Sequence, residues 1–240
     1  MIAYATLSKV GGRQINEDAV GVRQTPDSIF CVLADGLGGH NAGEVASNLA
    51  VEKALSIFDE GRAPVDILTD CMNEAQNAIL EEQHKCNRID EMKTTAVMLL
   101  IKNNIAQWAH VGDSRLYRFY AGEIAERTLD HSVPQMLALQ GEIEEKDIRH
   151  HEDRNRLTRA MGIEWDSPKF TLSKSLEAPE STCFLLCSDG FWELIGEKEM
   201  CRCLEKTDNP EVWLAKMEKI VLKNGKKKNM DNYSAIAVFI

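Results

Sequence analysis

The chain has 240 residues, of which 44% are hydrophobic, and this is enough to bury a sizeable core. Its 28 basic and 38 acidic residues give a net charge of −10, which argues against nucleic-acid binding, since that requires a cationic surface. No apolar run approaches the ~20 residues that span a bilayer, and seven cysteines without an N-terminal signal peptide are typical of reduced thiols, so we expect a cytoplasmic protein with no membrane partner.

Short apolar runs rich in β-branched and aromatic residues alternate with turns along much of the chain. The runs that predict strands are residues 3–7, 29–34, 94–101, 106–111, 115–119, 183–187 and 234–240. The turns at 102–104, 112–114 and 120–122 are short, which favours antiparallel hairpins over helical crossovers. These runs therefore predict antiparallel sheets.

Further segments carry apolar residues at helical spacing. The first stripe is Val51, Ala54, Leu55 and Phe58, and the second is Leu68, Cys71, Met72, Ala75 and Ile79. Asn41 followed by Glu44 predicts a capping box at the start of the first helix. The stripe that follows the N-cap and N1 pair Asn209-Pro210 consists of Trp213, Met217 and Ile220.

The order of these elements predicts the fold class. Strands in hairpins are followed by two helices, more strands and then further helices, and antiparallel sheets with flanking helices account for this order. No linker, repeat or low-complexity stretch interrupts the chain, so residues 1–240 are predicted to form one domain. We expect a layered α+β protein.

Two of the predicted strands deliver an aspartate that is followed by a glycine. Residues 29–34 lead into Asp35-Gly36, and residues 184–188 lead into Asp189-Gly190. A carboxylate at the end of a buried strand is costly unless it is exposed, paired or bound to a cation. The glycine lets the backbone turn sharply and come close to a ligand. One such pair is an ordinary turn, but two of them indicate a site.

Other acidic residues lie at the margins of predicted strands, namely Glu17, Asp18, Asp113 and Asp231. If the strands converge, these carboxylates repel one another unless hard divalent cations neutralise them. No histidine or cysteine cluster accompanies them, which favours Mg²⁺ or Mn²⁺ over zinc or copper. Each aspartate alone is more simply explained as a turn cap, so the prediction of a metal site depends on the whole set.

The segment that begins at Asp35-Gly36 does not match known nucleotide-binding or phosphotransferase motifs. Residues 36–41 lack the third glycine of G-x-G-x-x-G, and residues 38–43 are not followed by the Lys-Ser/Thr pair of a P-loop. A phosphotransferase of the haloacid-dehalogenase type needs Asp-x-Asp after its first strand, which Asp35-Gly36-Leu37 does not supply. The acidic set is left as the candidate site.

The acidic residues belong to a series of motifs in a fixed order. The chain resembles the metal-dependent Ser/Thr protein phosphatases of the PPM (type 2C) family, in particular the short bacterial branch, over essentially its whole length. Together in register, the motifs are far more specific than any one of them. The matching segments are Arg13-x-x-Asn16-Glu17-Asp18-Ala19, Asp35-Gly36-Leu37-Gly38-Gly39-His40, Thr94-Thr95-Ala96, Val111-Gly112-Asp113-Ser114-Arg115, Asp130-His131-Ser132, Leu157-Thr158-Arg159-Ala160-Met161-Gly162, Cys187-Ser188-Asp189-Gly190 and Asp231-Asn232.

The resemblance implies a four-layer fold, in which a central antiparallel β-sandwich is flanked by helices on both outer faces. It also implies a binuclear Mn²⁺ or Mg²⁺ centre at one end of the sandwich. Asp35 would bridge both ions and the carbonyl of Gly36 would contact one of them, while Asp189 and Asp231 would bind the other. Asp113, together with Asp189, would hold a weaker third ion.

The resemblance implies roles for the remaining candidates as well. Glu17 and Asp18 would act mainly through metal-bound waters, and Arg13 would bind the substrate phosphate with its planar, charged fork. Eukaryotic members place a histidine, the proposed acid for the leaving group, directly after Asp-Gly, and here that position is Leu37. His40 and a metal-bound water are the alternative acids, and a structural role at the helix start is the competing explanation for His40.

The implied reaction is hydrolysis of phosphoserine and phosphothreonine in proteins by a hydroxide that the two ions share. The implied partners are phosphorylated proteins and an opposing Ser/Thr kinase, and we expect a monomer. Two other functions stay open: a phosphatase for small phosphate esters, and a catalytically inactive binding module. The intact acidic set argues against the inactive module, which would not need to keep like charges together.

The segment at about 132–156 lies where the family has a variable flap near the active site, and its sequence predicts an irregular stretch. Residues 150–153, His-His-Glu-Asp, contain metal-ligand side chains, but a solvated loop is the better interpretation. The lysines at 226–228 are also interpreted as a solvated loop. Trp192, just after Asp189-Gly190, is expected in the core.

Overall fold

The computed structural model describes residues 2–38, 42–58, 62–89, 91–205, 207–226 and 229–240. The strands in these ranges are β1 (Ala3–Lys9), β2 (Asp18–Gln24), β3 (Ser28–Leu37), β4 (Lys93–Thr94), β5 (Ala96–Lys102), β6 (Ile105–Val111), β7 (Arg115–Tyr120), β8 (Glu123–Arg127), β9 (Thr171–Leu172), β10 (Leu176–Glu177), β11 (Thr182–Cys187) and β12 (Tyr233–Phe239). The helices are α1 (Ala42–Ile57), α2 (Pro64–Cys86), α3 (Val133–Gln140), α4 (Asp189–Trp192), α5 (Glu197–Leu204), α6 (Pro210–Gly225) and a 3-10 helix (Glu145–His150). No helix within the described ranges is both long enough and apolar enough to cross a membrane.

The strands form two antiparallel sheets that pack face to face. The first sheet has the order β1-β12-β11-β7-β8, and the second has the order β10-β6-β5-β3-β2, with β4 paired to β3 and β9 to β6. The layer between the sheets is apolar and includes Ile29, Leu99, Phe184 and Val238. This layer is the centre of the core.

Helices cover the outer face of each sheet. The second sheet packs against α1 and α2, where Phe30 and Met98 meet Met72. The first sheet packs against α4, α5 and α6, where Phe119 meets Trp213. Strands covered on both faces have no polar side, so β3, β5, β11 and β12 are apolar along nearly their whole length. The predicted four-layer α+β fold is confirmed.

The helix predictions are largely confirmed. Leu68 and Met72 of the second stripe are fully buried in α2. The Asn209 side chain accepts hydrogen bonds from the backbone N–H groups of Glu211 at 2.8 Å and Val212 at 3.1 Å, so it is the N-cap of α6. The predicted capping residue Asn41 lies outside the described residues, as do residues 227 and 228 of the lysine run.

The turn at 112–114 is not a hairpin, and that prediction is wrong. β6 belongs to the second sheet and β7 to the first, so the chain crosses between the two layers there. The other two short turns do join neighbouring strands, and Asn103 and Asn104 in the first of them have φ of 50° and 61°. The crossing places Asp113 at an end that both sheets share.

The segment at 132–156 is irregular only in part, which corrects the expectation of an irregular stretch, although residues 151–156 do form turns. It contains α3 and the 3-10 helix. The Ser132 hydroxyl caps α3 by accepting a hydrogen bond from the Gln135 N–H at 3.4 Å, Pro134 lies in the first turn, and Gly141 ends the helix with φ of 77°. These are ordinary start and stop signals for a helix.

Candidate metal centre

Five aspartates meet at one end of the β-sandwich. Asp18 and Asp35 are opposite each other on β2 and β3, and such partners have their side chains on the same face with Cβ atoms about 4.5–5.5 Å apart. Asp113 lies in the crossing between the sheets, Asp189 begins α4 directly after β11, and Asp231 directly precedes the segment leading into β12. Both sheets therefore contribute carboxylates to the same place.

Asp35 is the centre of this acidic set. Burial raises the pKa of Asp35 well above its ordinary value. The charges of Asp18, Asp189, Asp113 and Asp231 raise the pKa of Asp35 further, in that order of size. A carboxylate acts on another in this way only when the two are close in space. The four other aspartates therefore lie near Asp35.

The pKa values of the neighbouring carboxylates are raised by the same causes. Burial raises the pKa of Asp113 well above its ordinary value, and the charge of Asp189 adds to this effect. Burial, followed by the charge of Asp231, raises the pKa of Asp189 to about 6, although a hydrogen bond with Asp35 acts in the opposite direction. Burial also raises the pKa of Asp18 to about 7. Protons or cations must neutralise part of this set.

The donor atoms fit hard divalent cations. The Oδ1 atom of Asp18 is buried without a hydrogen-bond partner in the part of the chain that the structure describes, and such an oxygen costs free energy unless a cation or water meets it. In that same part, no three His, Cys, Asp or Glu side chains already enclose one point. The carboxylates instead contact Ser188, Arg13 and one another. An all-oxygen set of this kind suits Mn²⁺ or Mg²⁺.

The two glycines after Asp35 and Asp189 are required by close backbone packing. A Cβ atom at Gly36 would lie 2.2 Å from the carbonyl oxygen of Gly43, at the start of α1. A Cβ atom at Gly190 would lie 2.0 Å from the carbonyl oxygen of Asn232. Any larger residue would push these segments apart. Gly36 and Gly190 thus let the loops that carry the acids approach each other.

Thr95 connects Asp35 to the crossing that carries Asp113. Its backbone N–H donates to the carbonyl oxygen of Asp35 at 2.9 Å, and its hydroxyl accepts from the Asp35 N–H at 3.0 Å. The same hydroxyl lies 2.7 Å from the hydroxyl of Ser114. Thr95 lies in one of the motifs that resemble the PPM family, without a role predicted for it. Its signal is a polar residue that directly precedes the apolar run of β5.

Two further polar residues support the acids from the side of β11 and β12. The Ser188 hydroxyl donates to Asp18 Oδ2 at 2.8 Å and accepts from the Ser234 N–H at 3.0 Å, so it bridges the two sheets. The Asn232 side chain accepts from the Glu17 N–H at 2.9 Å. Both residues directly neighbour a predicted acid, Asp189 or Asp231, and this adjacency is the signal that sequence reasoning did not use.

A cavity of about 470 Å³ opens beside the acidic set. Asp189 and Asp231 line it, and so do Arg149 and Arg154 from the segment around the 3-10 helix. Arg13 also lines the cavity and donates to Asp231 Oδ2 at 2.7 Å, with both side chains about half exposed. That hydrogen bond raises the pKa of Arg13, which stays a full positive charge next to the cavity. An anion in the cavity could therefore reach Arg13.

The remaining predicted residues lie at the edge of the site or outside the described ranges. Glu17 is partly buried, and its pKa is raised by burial and then by the charge of Asp231. Its carbonyl oxygen accepts the Gly36 N–H at 3.0 Å, which joins β2 to the end of β3. His40, the candidate acid, lies outside the described residues. His150 is exposed and lines the cavity.

Comparisons with known proteins agree with one another. A sequence profile described as Protein phosphatase 2C matches residues 8–232. The Serine/threonine phosphatase stp of Listeria welshimeri is 32% identical over 200 residues, which cover 78% of this chain and 77% of that protein. The crystal structure of the Mycobacterium tuberculosis serine/threonine phosphatase PstP/Ppp matches with a TM-score of 0.86 at 28% identity, covering 100% of this chain and 98% of that one. The catalytic domain of PstP in complex with 2 manganese ions matches with a TM-score of 0.81 at 28% identity, covering 99% and 97%.

Proposed function

Since the chain belongs to the protein phosphatase 2C family and is a metal-dependent protein serine/threonine phosphatase, we propose that it hydrolyses phosphoserine and phosphothreonine in proteins at the acidic set that joins its two sheets. The observation that carries this proposal is the convergence of four carboxylates around Asp35 beside an open cavity. Two Mn²⁺ or Mg²⁺ ions are the cofactors of the reaction.

We assign the ligands by their position in the site. Asp35 would bridge the two ions, because all four other carboxylates lie near it. The carbonyl of Gly36 would contact one ion, and Asp189 and Asp231, which face the cavity, would hold the other. Asp113, which lies close to Asp189, would share a weaker third ion with it.

Asp18 and Glu17 would contact the ions through metal-bound waters and not directly. The Asp18 carboxylate offers a buried Oδ1 atom without a partner in the described ranges, while its Oδ2 atom is held by Ser188. That oxygen would accept a hydrogen bond from a water on a cation. Glu17 lies near Asp231 and would do the same on its side of the site.

When bound, the two cations would lower the pKa of a water molecule and supply positive charge at the phosphoryl oxygens. The chain itself supplies the binding of the phosphoryl group. Arg13 has five N–H donors on a planar fork, so one can remain on Asp231 while others bind phosphoryl oxygens in the cavity. Because charge grows on those oxygens in the transition state, these hydrogen bonds should strengthen as the reaction proceeds.

The chemistry of the substrate defines the partner enzyme by class. Phosphoserine and phosphothreonine are formed by transfer of a phosphoryl group to a hydroxyl, so a protein Ser/Thr kinase must produce what this enzyme consumes. The relatives named as serine/threonine phosphatases support this substrate class. The monomeric state, the cytoplasmic location, the single domain and the flap at 132–156 stay predictions.

The test compares a phosphoserine peptide, a phosphothreonine peptide and a small aryl phosphate, each with Mn²⁺, with Mg²⁺ and after chelation. We expect metal-dependent release of phosphate, with the peptides preferred in kcat/KM. Asp189→Asn should lower kcat/KM by more than ~100-fold, because even the outer-shell partners of a metal are worth 10–100-fold. The matched control is Asp166→Asn, an exposed aspartate outside the acidic set, and it should leave the rate unchanged.

Two outcomes would contradict the proposal. Full activity after chelation would exclude a metal-dependent reaction at this site. A clear preference for the aryl phosphate over both peptides would instead support the second candidate, a phosphatase for small phosphate esters, because the metal ligands recognise only the phosphoryl group.

A further inference from the structure

Trp192 connects the two loops that carry Asp113 and Asp189. It is the last residue of α4, the short helix that Asp189 begins, and its side chain is only 2% exposed. The indole N–H donates to the backbone carbonyl oxygen of Asp113 at 3.0 Å. Trp192 is therefore tied to Asp189 by the backbone of α4, and it is tied to the Asp113 loop by a buried hydrogen bond.

Arg115 holds the ring of Trp192 in place. Its guanidinium carbon lies 3.4 Å from the centre of the indole, and its side chain is 3% exposed. The guanidinium is itself fixed, because it donates to both carboxylate oxygens of Asp130 at 2.9 and 2.7 Å and to the hydroxyl of Tyr117 at 3.0 Å. A buried cation over an indole face is attractive, and Asp130 offsets the burial of the charge. The ring therefore has little freedom to turn.

The backbone of Trp192 is held as well. Arg149, in the 3-10 helix, donates to the carbonyl oxygens of Trp192 at 2.9 Å and Ile195 at 2.8 Å. The other end of the same guanidinium binds both carboxylate oxygens of Glu197 at 2.6 Å. The C-terminal end of α4 is thus anchored to the segment that lines the cavity. Trp192 is fixed through both its ring and its carbonyl group.

The distance between the two loops matters because their carboxylates act on each other. Asp113 is buried and Asp189 is partly buried, and the hydrogen bond of the Trp192 indole joins the loops that carry them. Two carboxylates brought close together repel each other, and a cation between them reverses the sign of that interaction. A cation binds well only if its ligands are already held at the right separation. A rigid connection between the two loops would provide that separation.

We propose that Trp192, held by Arg115, is a positioning residue that sets the distance between Asp113 and Asp189 and so the affinity of the cation these two residues would share. The critical group is the indole N–H, since it makes the contact with the Asp113 loop. This inference rests on the proposed function in one respect, namely that cations occupy the acidic set. It adds a residue that contacts neither the substrate nor a metal.

The test uses the full chain, Mn²⁺ alone and the variant Trp192→Phe, which keeps a ring beneath Arg115 but removes the N–H donor. The chain offers a matched control in Trp213→Phe. Trp213 is fully buried, and its indole N–H also donates to a backbone carbonyl, that of Met200 at 3.1 Å, in the core beneath α5 and α6. Both variants lose one buried indole hydrogen bond, so a general loss of stability affects them alike.

Electron paramagnetic resonance of free Mn²⁺ gives the number of bound ions and the affinity of each site without any substrate. Trp192→Phe should weaken the weakest site by about 10–100-fold and leave the tighter sites within twofold of the parent. Trp213→Phe should leave all sites unchanged. Arg115→Lys, which keeps the charge but loses the planar surface over the indole, should weaken the same site. In an Asp113→Asn background, the addition of Trp192→Phe should change nothing further.

The inference is overturned if Trp192→Phe binds Mn²⁺ as Trp213→Phe does, or if it weakens every site equally. An effect that persists in the Asp113→Asn background would also overturn it, because Trp192 would then not act through Asp113. If Trp192→Phe does not fold, as seen by circular dichroism, Arg115→Lys decides by the same criteria. Absence of Mn²⁺ binding by the parent protein is a separate result, and it would contradict the proposed function itself.

Discussion

Replacing Asp18 with asparagine should stabilise the metal-free protein. Asp18 is 6% exposed and lies opposite Asp35. Burial raises its pKa from the ordinary value of 3.8 to about 7. At about 1.4 kcal/mol for each pH unit between those values, ionised Asp18 disfavours the folded state by ~4 kcal/mol above pH 7. Asparagine removes the charge and keeps an oxygen that can accept the 2.8 Å hydrogen bond from Ser188.

The size and the pH dependence of the effect follow from the same shift. The pKa is higher in the folded than in the unfolded state, so the contribution of Asp18 to stability is fully present below pH ~4 and is lost as the pH rises through about 7. In the variant, the amide NH₂ would replace the unpartnered Oδ1. A buried donor without a partner costs ~1–3 kcal/mol, which reduces the stabilisation gained by removing the charge. The net gain at pH 8 should be ~1–3 kcal/mol, or about 2–12 °C in melting temperature, and it should be smaller at pH 5.

Thermal unfolding with a chelator measures the stability of the metal-free protein, and thermal unfolding with added Mn²⁺ measures the stabilisation by the metal. The parent protein should gain ~2.7 kcal/mol of stability at a Mn²⁺ concentration of 100 times Kd, and Asp18→Asn should gain less, because its orphaned carboxylate oxygen is gone. Asp166→Asn, at an exposed position, is the control and should match the parent in both conditions. The reasoning is refuted if Asp18→Asn melts at or below the parent temperature in chelator at pH 8.

Three other predictions concern the substrate, the support of Asp35 and the protons of the site. Arg13→Ala should lower kcat/KM for a phosphopeptide by about 100-fold, while calorimetry should show an unchanged Mn²⁺ stoichiometry. Loss of the ions in this variant would contradict the assignment of Arg13 to substrate binding. Thr95→Val keeps the shape of the side chain but removes the hydroxyl that bonds the Asp35 N–H and Ser114, so urea unfolding should show a loss of ~1–3 kcal/mol, and an unchanged midpoint would contradict this. Mn²⁺ binding near pH 7 should release protons, because burial and neighbouring charges raise the pKa values of Asp35, Asp18 and Asp189. The affinity should therefore fall as the pH drops from 8 to 6, and binding heats that do not depend on the ionisation enthalpy of the buffer would disprove the release.

The sequence predicts best the strands that are buried on both faces. β3, β11 and β12 have a sheet on one side and helices on the other, so their apolar runs are continuous. β2 and β8 are the last strands of their sheets and are partly exposed, and neither was predicted. An edge strand such as β2 carries Gly21 and Arg23 among its apolar residues. It therefore lacks the continuous apolar run that marks a strand buried on both faces.

The acids of the site could be predicted because a buried strand ends in Asp-Gly twice and further acids occur in turn-like places, whereas any one of these aspartates alone is an ordinary turn residue. Their partners could not. The contact of Trp192 with the Asp113 loop joins residues that are 79 positions apart, and the pair Arg13–Asp231 joins residues that are 218 apart. The crossing at 112–114 was also hidden, because a short turn has the same length whether it joins two strands of one sheet or of two.

We infer that carboxylates from both sheets hold the metal ions together. Diffraction from crystals grown with Mn²⁺, recorded at the manganese absorption edge, locates the ions directly. We predict two strong anomalous peaks at the end of the sandwich, both bonded to Asp35 and one of them also to Asp189 and Asp231. Peaks that lie elsewhere, or that leave Asp35 without a bond to either ion, would contradict the claim.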